Sequence, residues 1–412
     1  MHLKPASPFL YLRVVLKIFP LHILLLSLLA AFPPLSTDMY LAAIPLLVKQ
    51  WQQPLVLVNM TLVCFFVTYC ACLLVYGPLS DKYGRKPPLL FGIVLYTLAC
   101  LLCAASKNVE MLIVGRIFQG AGAAGASAIV FAICKDVFTG AQRQRVFVQI
   151  GVIVAAAPVI APVLGAWIME VLSWRWVFLL QAGMACVAFV GVLKMDESLQ
   201  ETRAEGVWRA FASYGRLVLN VKYMLLVITL SIFGMPVFAF IAGSSDLYIT
   251  RLGYDERQFG YFFALNALAF VFAPLTFSRL ARRYAPSHLI PFAFVGMICS
   301  ALLFLWTAIP MPWRLTVPMF MVTFCFSFCR PGGSNLILEQ VDRDAGTASS
   351  LMVFSYFLTG SVAMWLFSLE WHDKLQTLSV MTFVPVFFSL ILWGIWYWLN
   401  AGKTGGVTAA AE

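Results

Sequence analysis

Between Pro20 and Leu399 the sequence is a succession of twelve apolar runs, each closed by charged or turn-forming residues. They cover roughly 20–48, 58–79, 87–105, 111–133, 146–168, 176–193, 223–250, 258–278, 289–309, 315–337, 346–369 and 376–399. A helix needs about 20 apolar residues, at about 1.5 Å rise each, to cross the hydrocarbon of a bilayer. No water-soluble core can absorb twelve such runs, because 62% of the chain is apolar and 11% charged, whereas soluble domains are about 25% charged. An all-α polytopic membrane protein is expected. Lys4, Arg13 and Lys17 ahead of a Leu-rich stretch have the look of a secretory leader, but the stretch continues to Leu47, past the usual ~7–15 residues. It is read as the first span.

The formal charge of +10, from 28 basic and 18 acidic residues, is topological. Nucleic-acid binders gather Lys and Arg on a solvated face, whereas here they punctuate apolar runs. One set of alternate segments carries Lys4, Lys82, Arg85, Lys86, Lys135, Arg143, Arg145, Arg209, Arg216, Arg279, Arg282 and Arg283 among others; the other set carries only Lys49, Lys107, Arg175, Arg251, Arg257, Arg314 and Lys374. Basic residues accumulate in cytoplasmic loops, so both termini are expected in the cytoplasm. The ten cysteines lie in or at the ends of apolar runs, and Cys70 and Cys72, two apart, lack zinc-ligand spacing and a nearby His. They read as small core residues, with no metal or other cofactor.

The longest connection, near 195–221, divides the spans six and six. Its Val207, Phe211, Tyr214 and Val218 fall at helical spacing behind Asp196, Glu197, Glu201 and Glu205, the pattern of a helix lying on a membrane surface. The expected organisation is an N-terminal segment 1–17, a first bundle 18–194, a linker 195–221, a second bundle 222–400 and a tail 401–412. The halves resemble each other. Ser36-Thr37-Asp38-Met39-Tyr40-Leu41 in span 1 returns 208 residues later as Ser244-Ser245-Asp246-Leu247-Tyr248-Ile249 in span 7, and Leu79-Ser80-Asp81-Lys82-Tyr83-Gly84 has a weaker echo in Leu280-Ala281-Arg282-Arg283-Tyr284-Ala285. Transporters built of two repeated bundles place their site at the midplane between them.

Four charges fall well inside the spans: Asp38, Arg116, Asp246 and Arg330. A lone charge at the bilayer centre costs about 2.5–3.5 kcal/mol on insertion scales, so such residues serve a pathway or a partner; two acids and two bases could neutralise each other. Asp38 follows Pro33-Pro34 and precedes Pro45, which predicts a kinked helix. Burial disfavours a carboxyl's charged form, the property a proton carrier uses, and the alternative for Asp38 is a static salt bridge. Asp246, near the end of span 7, can equally reach the interface. A guanidinium stays charged, so Arg116 can bias a proton carrier but not be one; the small residues after it, Gly120 to Ala124, invite a close neighbouring helix. Arg330, in Cys329-Arg330-Pro331-Gly332-Gly333, is expected at a helix disruption, bonding freed carbonyls or substrate. Tyr40, Gln119, Asp246, Asn266 and Arg330, with the Phe- and Met-rich spans 7, 8 and 10, would line a pocket for an apolar, partly aromatic compound.

The string Gly77-Pro78-Leu79-Ser80-Asp81-Lys82-Tyr83-Gly84-Arg85-Lys86 resembles the loop 2–3 signature of the major facilitator superfamily, G-x-L-[AS]-D-[RK]-x-G-R-[KR], at each specified position. The segment around Arg116 is similar to the fourth-helix motif of proton-driven members. Ala157-Pro158-Val159-Ile160-Ala161-Pro162-Val163-Leu164-Gly165-Ala166 resembles the fifth-helix antiporter signature, with Ala161 and Ala166 in place of glycines. Ser36 to Leu41 and Ala345-Gly346-Thr347-Ala348-Ser349 resemble the bicyclomycin/chloramphenicol-resistance branch of twelve-helix drug:proton antiporters. The resemblance implies two pseudo-symmetric six-helix bundles in a bacterial inner membrane and a monomer exporting small compounds by alternating access against a proton. It also implies proton coupling through Asp38 and Arg116, a gate loop at Gly77, Asp81, Gly84 and Arg85, and an export-type fifth helix at Pro158, Pro162 and Gly165. Relatives of broad specificity often carry a second acid about two turns before the Asp38 position, where this chain reads Ala30-Ala31-Phe32. A single titrating acid is therefore expected. The runner-up is a proton symporter importing a metabolite; an enzyme is disfavoured because His2, His22, His288 and His372 are scattered and form no acid/His cluster.

Overall fold

The computed structural model describes residues 22–199, 207–341 and 345–404. Lys4, Arg13 and Lys17 with the rest of segment 1–17, the linker residues Glu201, Arg203 and Glu205, Arg343, and the tail beyond Thr404 lie outside the described residues. Among the described residues every regular element is helical. Eleven helices are long and apolar enough to cross a membrane, and the bent pair His22–Ala30 and Phe32–Trp51 makes a twelfth.

Span 1 comprises α1 (His22–Ala30), α2 (Phe32–Asp38), a 3-10 turn (Leu41–Ala43) and α3 (Ile44–Trp51). Spans 2 to 6 are α4 (Leu55–Tyr83), α5 (Lys86–Ala104), α6 (Val109–Val137), α7 (Gly140–Val171) and α8 (Trp174–Leu193). A short amphipathic helix, α9 (Val207–Val218), precedes span 7, which is α10 (Val221–Phe233), α11 (Met235–Ser245) and a π-helical turn (Asp246–Arg251). Spans 8 to 12 are α12 (Glu256–Leu280), α13 (Pro286–Leu305), α14 (Trp313–Leu338), α15 (Ala345–Ser368) and α16 (Lys374–Thr404).

The helices overrun most apolar runs, because backbone groups near the interface remain bonded to one another in preference to headgroups. Their ends are set locally: Asn108 accepts from the Met111 N–H at 2.9 Å, and Asp255 and Gln258 form a reciprocal capping box at the start of α12. Span 9 stops short, at Leu305 instead of the expected 309, where Pro310 and Pro312 follow; a proline disfavours helical backbone in the residue before it. The second expected disruption does not form. α14 runs unbroken through Pro331, packed against α12 on one side and α13 on another.

Helices α2, α4, α5, α6, α7 and α8 pack among themselves, as do α10 to α16. The small residues of α6 permit close approach: a Cβ on Gly120 would meet the Phe65 carbonyl of α4, and one on Gly122 would lie 2.7 Å from the Gly92 carbonyl of α5. Large apolar side chains such as Phe91, Leu98, Phe292 and Trp398 point outward, the arrangement lipid requires in place of water. The two groups of helices meet chiefly through α4 with α15 and α7 with α12.

That meeting is uneven along the membrane normal. Where α4 begins, the Asn59 amide donates to the Ala242 carbonyl at 3.0 Å and to Ser368 Oγ at 2.7 Å. On the same face a Cβ on Gly260 of α12 would stand 3.2 Å from the Pro162 carbonyl and 3.3 Å from the Ala166 methyl of α7, and Arg257 lies 3.8 Å from Glu170. Deeper in, the Phe66 ring meets Phe238 at 5.6 Å and Phe357 at 5.3 Å. Toward the face of the basic loops α9 touches both halves, Tyr214 donating to the Leu74 carbonyl of α4 at 3.3 Å.

Candidate functional site

The break in span 1 organises the first half. Pro33 and Pro34 begin α2, whose last residue is Asp38, and the chain then tightens: the Tyr40 N–H bonds the Thr37 carbonyl at 3.2 Å instead of the Ser36 carbonyl four residues back. Tightening frees an acceptor. Arg116 Nη1 takes it, donating to the Ser36 carbonyl at 2.9 Å and to Gln119 Oε1 at 2.6 Å, while Nε donates to the Thr61 carbonyl at 3.2 Å. Gln119 donates onward to Gln181 Oε1 at 2.8 Å, and Gln181 to the Leu35 carbonyl at 3.2 Å. The guanidinium, fully buried, lies 4.5 Å from the centre of the Phe65 ring, 5.2 Å from Tyr40 and 5.9 Å from Phe178. Carbonyls and ring faces thus take the place of a carboxylate, and Nη2 is left without an acceptor.

Asp38 is itself buried, 5% exposed, and accepts from Thr37 Oγ1 at 2.9 Å. Among the described residues no base is paired with it. The four intramembrane charges therefore do not neutralise one another: Asp246 Oδ2 pairs with Arg251 Nε at 3.2 Å at the end of span 7, and among the described residues Arg330 has no carboxylate partner, lying 5.1 Å from the Tyr356 ring and 5.8 Å from Phe326. Depth is one reason: Asp246 stands at the end of span 7, whereas Arg330 lies in the last third of α14, toward the opposite face.

On the neighbouring helix, a Cβ on Gly165 of α7 would collide with the Met39 carbonyl at the break, and Ala161 of α7 packs on Met39 with Val177. Pro158 and Pro162 lie within α7, which stays helical. Where Ala166 replaces a glycine, Gly260 on α12 supplies the missing room.

In the reversing loop, Gly84 adopts φ +91°, which favours glycine. Arg85 Nη1 donates to Asp81 Oδ1 at 2.6 Å and Ser80 Oγ at 2.8 Å, and Nε to Asp136 Oδ2 at 2.8 Å. Desolvation opposes the Arg85 charge, but the two carboxylates outweigh it and push the guanidinium's pKa up. Sequence reasoning missed Asp136 and Glu197. An acid at the C-terminal end of a helix, as Asp136 is in α6, opposes the helix dipole and calls for a cation, which was a legible signal. Glu197 accepts from the backbone N–H of Arg85 at 2.8 Å and of Lys86 at 3.0 Å, capping α5. Partial burial would raise its carboxyl, but the backbone donors of Lys86, Leu199, Arg85 and Ser198 outweigh it and hold it below the usual carboxylate range. Lys86 Nζ closes the other end, donating to the carbonyls of Leu193 and Met195 at 2.9 and 2.7 Å.

The expected pocket residues do not form one group. Tyr40 and Gln119 belong to the first half, beside the expected proton-coupling residues, Tyr40 accepting from Thr61 Oγ1 at 3.2 Å. Asn266 accepts from Thr323 Oγ1 at 3.1 Å within the second half. Arg330 lines a cleft formed by α10, α14 and α15. Asp246 stands apart from these, at the helix end.

Comparison with known proteins agrees with this architecture. The family model described as Major Facilitator Superfamily matches residues 26–364. The chain is 28% identical over 378 residues to the uncharacterized MFS-type transporter YdgK of Bacillus subtilis (strain 168), covering 90% of this chain and 94% of that one. It is 26% identical over 366 residues to the bicyclomycin resistance protein homolog of Haemophilus influenzae, covering 88% and 91%. A solved D-xylose-proton symporter superposes with a TM-score of 0.73 at 14% identity, covering 92% of this chain and 97% of the other, a likeness of fold alone. With the twelve spans, the repeated acid and the charged reversing loop, the family match places this chain in the major facilitator superfamily, as a multi-pass membrane transporter rather than an enzyme.

Proposed function

We propose that the protein exports small, largely apolar compounds across a bacterial inner membrane in exchange for protons, as a monomer with both termini cytoplasmic. One observation carries the reading: Asp38 is a buried carboxyl with no paired base, at a break in a membrane-spanning helix. The bicyclomycin resistance relative supports the choice of cargo, and the basic loops support the orientation. On this reading the outer face is sealed at Asn59 and Gly260, and the cycle is loaded from the cytoplasm. Substrate entering from the cytoplasm favours proton release from Asp38; the halves then rock, and a proton from outside resets the cycle. One proton moving inward gains about 2.3 kcal/mol per 100 mV, enough for roughly a 50-fold gradient of a neutral compound at about 1.4 kcal/mol per tenfold.

The test is a growth-inhibition screen of an efflux-deficient strain expressing the protein, followed by uptake into everted vesicles under an imposed pH gradient. The reading expects raised tolerance to at least one compound and proton-dependent accumulation of it in the vesicles. Greater cellular accumulation of the compound on expression would overturn export in favour of import.

Asn59 gives a second expectation. Asn59→Ala removes two hydrogen bonds across the seal, each contributing about 1 kcal/mol, so the balance moves toward the outward-open form by roughly tenfold or more. Distances between spin labels at the outer ends of α4 and α15 report it. A distribution identical to wild type would show that the seal rests on the aromatic contacts beneath.

A further inference from the structure

The cleft at Arg330 has walls from α10 (Val227, Ser231), α14 (Phe326) and α15 (Met352, Tyr356). Arg330 is exposed into this space, and among the described residues no carboxylate, carbonyl or hydroxyl receives its donors. Its surroundings are the ring faces of Tyr356 at 5.1 Å and Phe326 at 5.8 Å. Arg116 is the instructive contrast. That guanidinium donates to three protein acceptors; Arg330 has none. Pro331 lacks the N–H that would bond the Ser327 carbonyl, yet Arg330 does not turn back to it. Within a span, an unanswered guanidinium is retained at a cost, and its planar fork matches a carboxylate or similar oxyanion.

We propose that this cleft binds a small amphipathic monoanion, its aromatic or apolar body against Phe326 and Tyr356 and its oxyanion on Arg330. The inference rests on the reading of the protein as an exporter and names the chemical class of its cargo. It divides the labour between the halves: Asp38 serves the proton, and Arg330 serves the substrate's charge. Exchange of one proton inward for one such anion outward moves two charges, so transport of this cargo responds to membrane potential more steeply than transport of a neutral compound.

The experiment measures equilibrium binding of three probes sharing one ring system, naphthalene-1-acetate, naphthalene-1-acetamide and 1-naphthylethylammonium, to full-length protein in phosphatidylcholine nanodiscs. Wild type is expected to bind the acetate about tenfold or more tighter than the amide, the scale of one charge-assisted hydrogen bond. Arg330→Gln should erase that preference and Arg330→Lys should keep part of it, with an unchanged circular dichroism spectrum and thermal midpoint certifying the fold of each variant. No preference in wild type, preference for the cation, or a preference surviving in Arg330→Gln would each overturn the assignment. Repetition with phosphatidylglycerol in the discs separates the two sources of an oxyanion: loss of acetate binding there would assign the guanidinium to a lipid headgroup and overturn the small-anion reading. Failure of the exporter reading is distinguishable, because acetate preference is read without a gradient and should persist in Asp38→Asn.

Discussion

Asp38→Asn abolishes proton-driven transport in everted vesicles while leaving energy-independent substrate exchange in place. The asparagine is nearly isosteric and keeps an acceptor for the Thr37 hydroxyl, which lies 2.9 Å from the native carboxylate, so the break in span 1 persists. What disappears is the ability to alternate between a charged and a neutral form. Among the described residues no base is paired with Asp38, and Ala30 and Ala31 occupy the stretch about two turns before it, so no second acid in that stretch can substitute. Accumulation should fall to the level of vesicles without a gradient. Undiminished accumulation would remove Asp38 as the carrier.

Arg116→Met is expected to cost stability as well as transport. Methionine fills much of the same volume but donates nothing, leaving the Ser36 carbonyl, the Thr61 carbonyl and Gln119 Oε1 without their donor. Each stranded buried acceptor costs about 1–3 kcal/mol, so a loss of at least about 3 kcal/mol is expected. Arg116→Lys should fall between, since an ammonium cannot span the three acceptors as a planar fork does. Unfolding in detergent, followed by near-ultraviolet circular dichroism, measures it. A methionine variant as stable as wild type would show that the ring faces, and not the carbonyls, keep the arginine in place.

Much of the architecture was legible in sequence because lipid is a demanding solvent. It forces every spanning backbone into a helix, so the twelve runs could be counted, and the prolines around Asp38 marked the break in span 1. The pairing of the membrane charges was not legible. Depth along a helix can be read from a sequence, but which way a side chain faces after packing depends on every neighbour, and so Asp246 found Arg251 and Arg116 found carbonyls. Pro331 misled in the same way: it predicts a broken span 10, yet α14 stays helical, packed against α12 and α13. Asp136 carried a signal in its place at a helix end, but Glu197 lay in a segment that reads as a connection, and its importance appears only when the ends of α5 and α8 meet at the reversing loop.

The bond from Arg116 to the Ser36 carbonyl has a mechanical consequence. It lies two residues before Asp38 and is buried, with Gln181 gripping the adjacent Leu35 carbonyl and Gly165 seated on Met39. Span 1 is thus bolted at its weakest point to spans 4, 5 and 6, and a change in the Asp38–Arg116 separation would have to undo those fastenings first. The break serves as a fixed bracket instead of a hinge. A proton arriving at the bracket is felt by whatever slides past it, namely the second half, so the gearing of this pump lies in the seam between its halves.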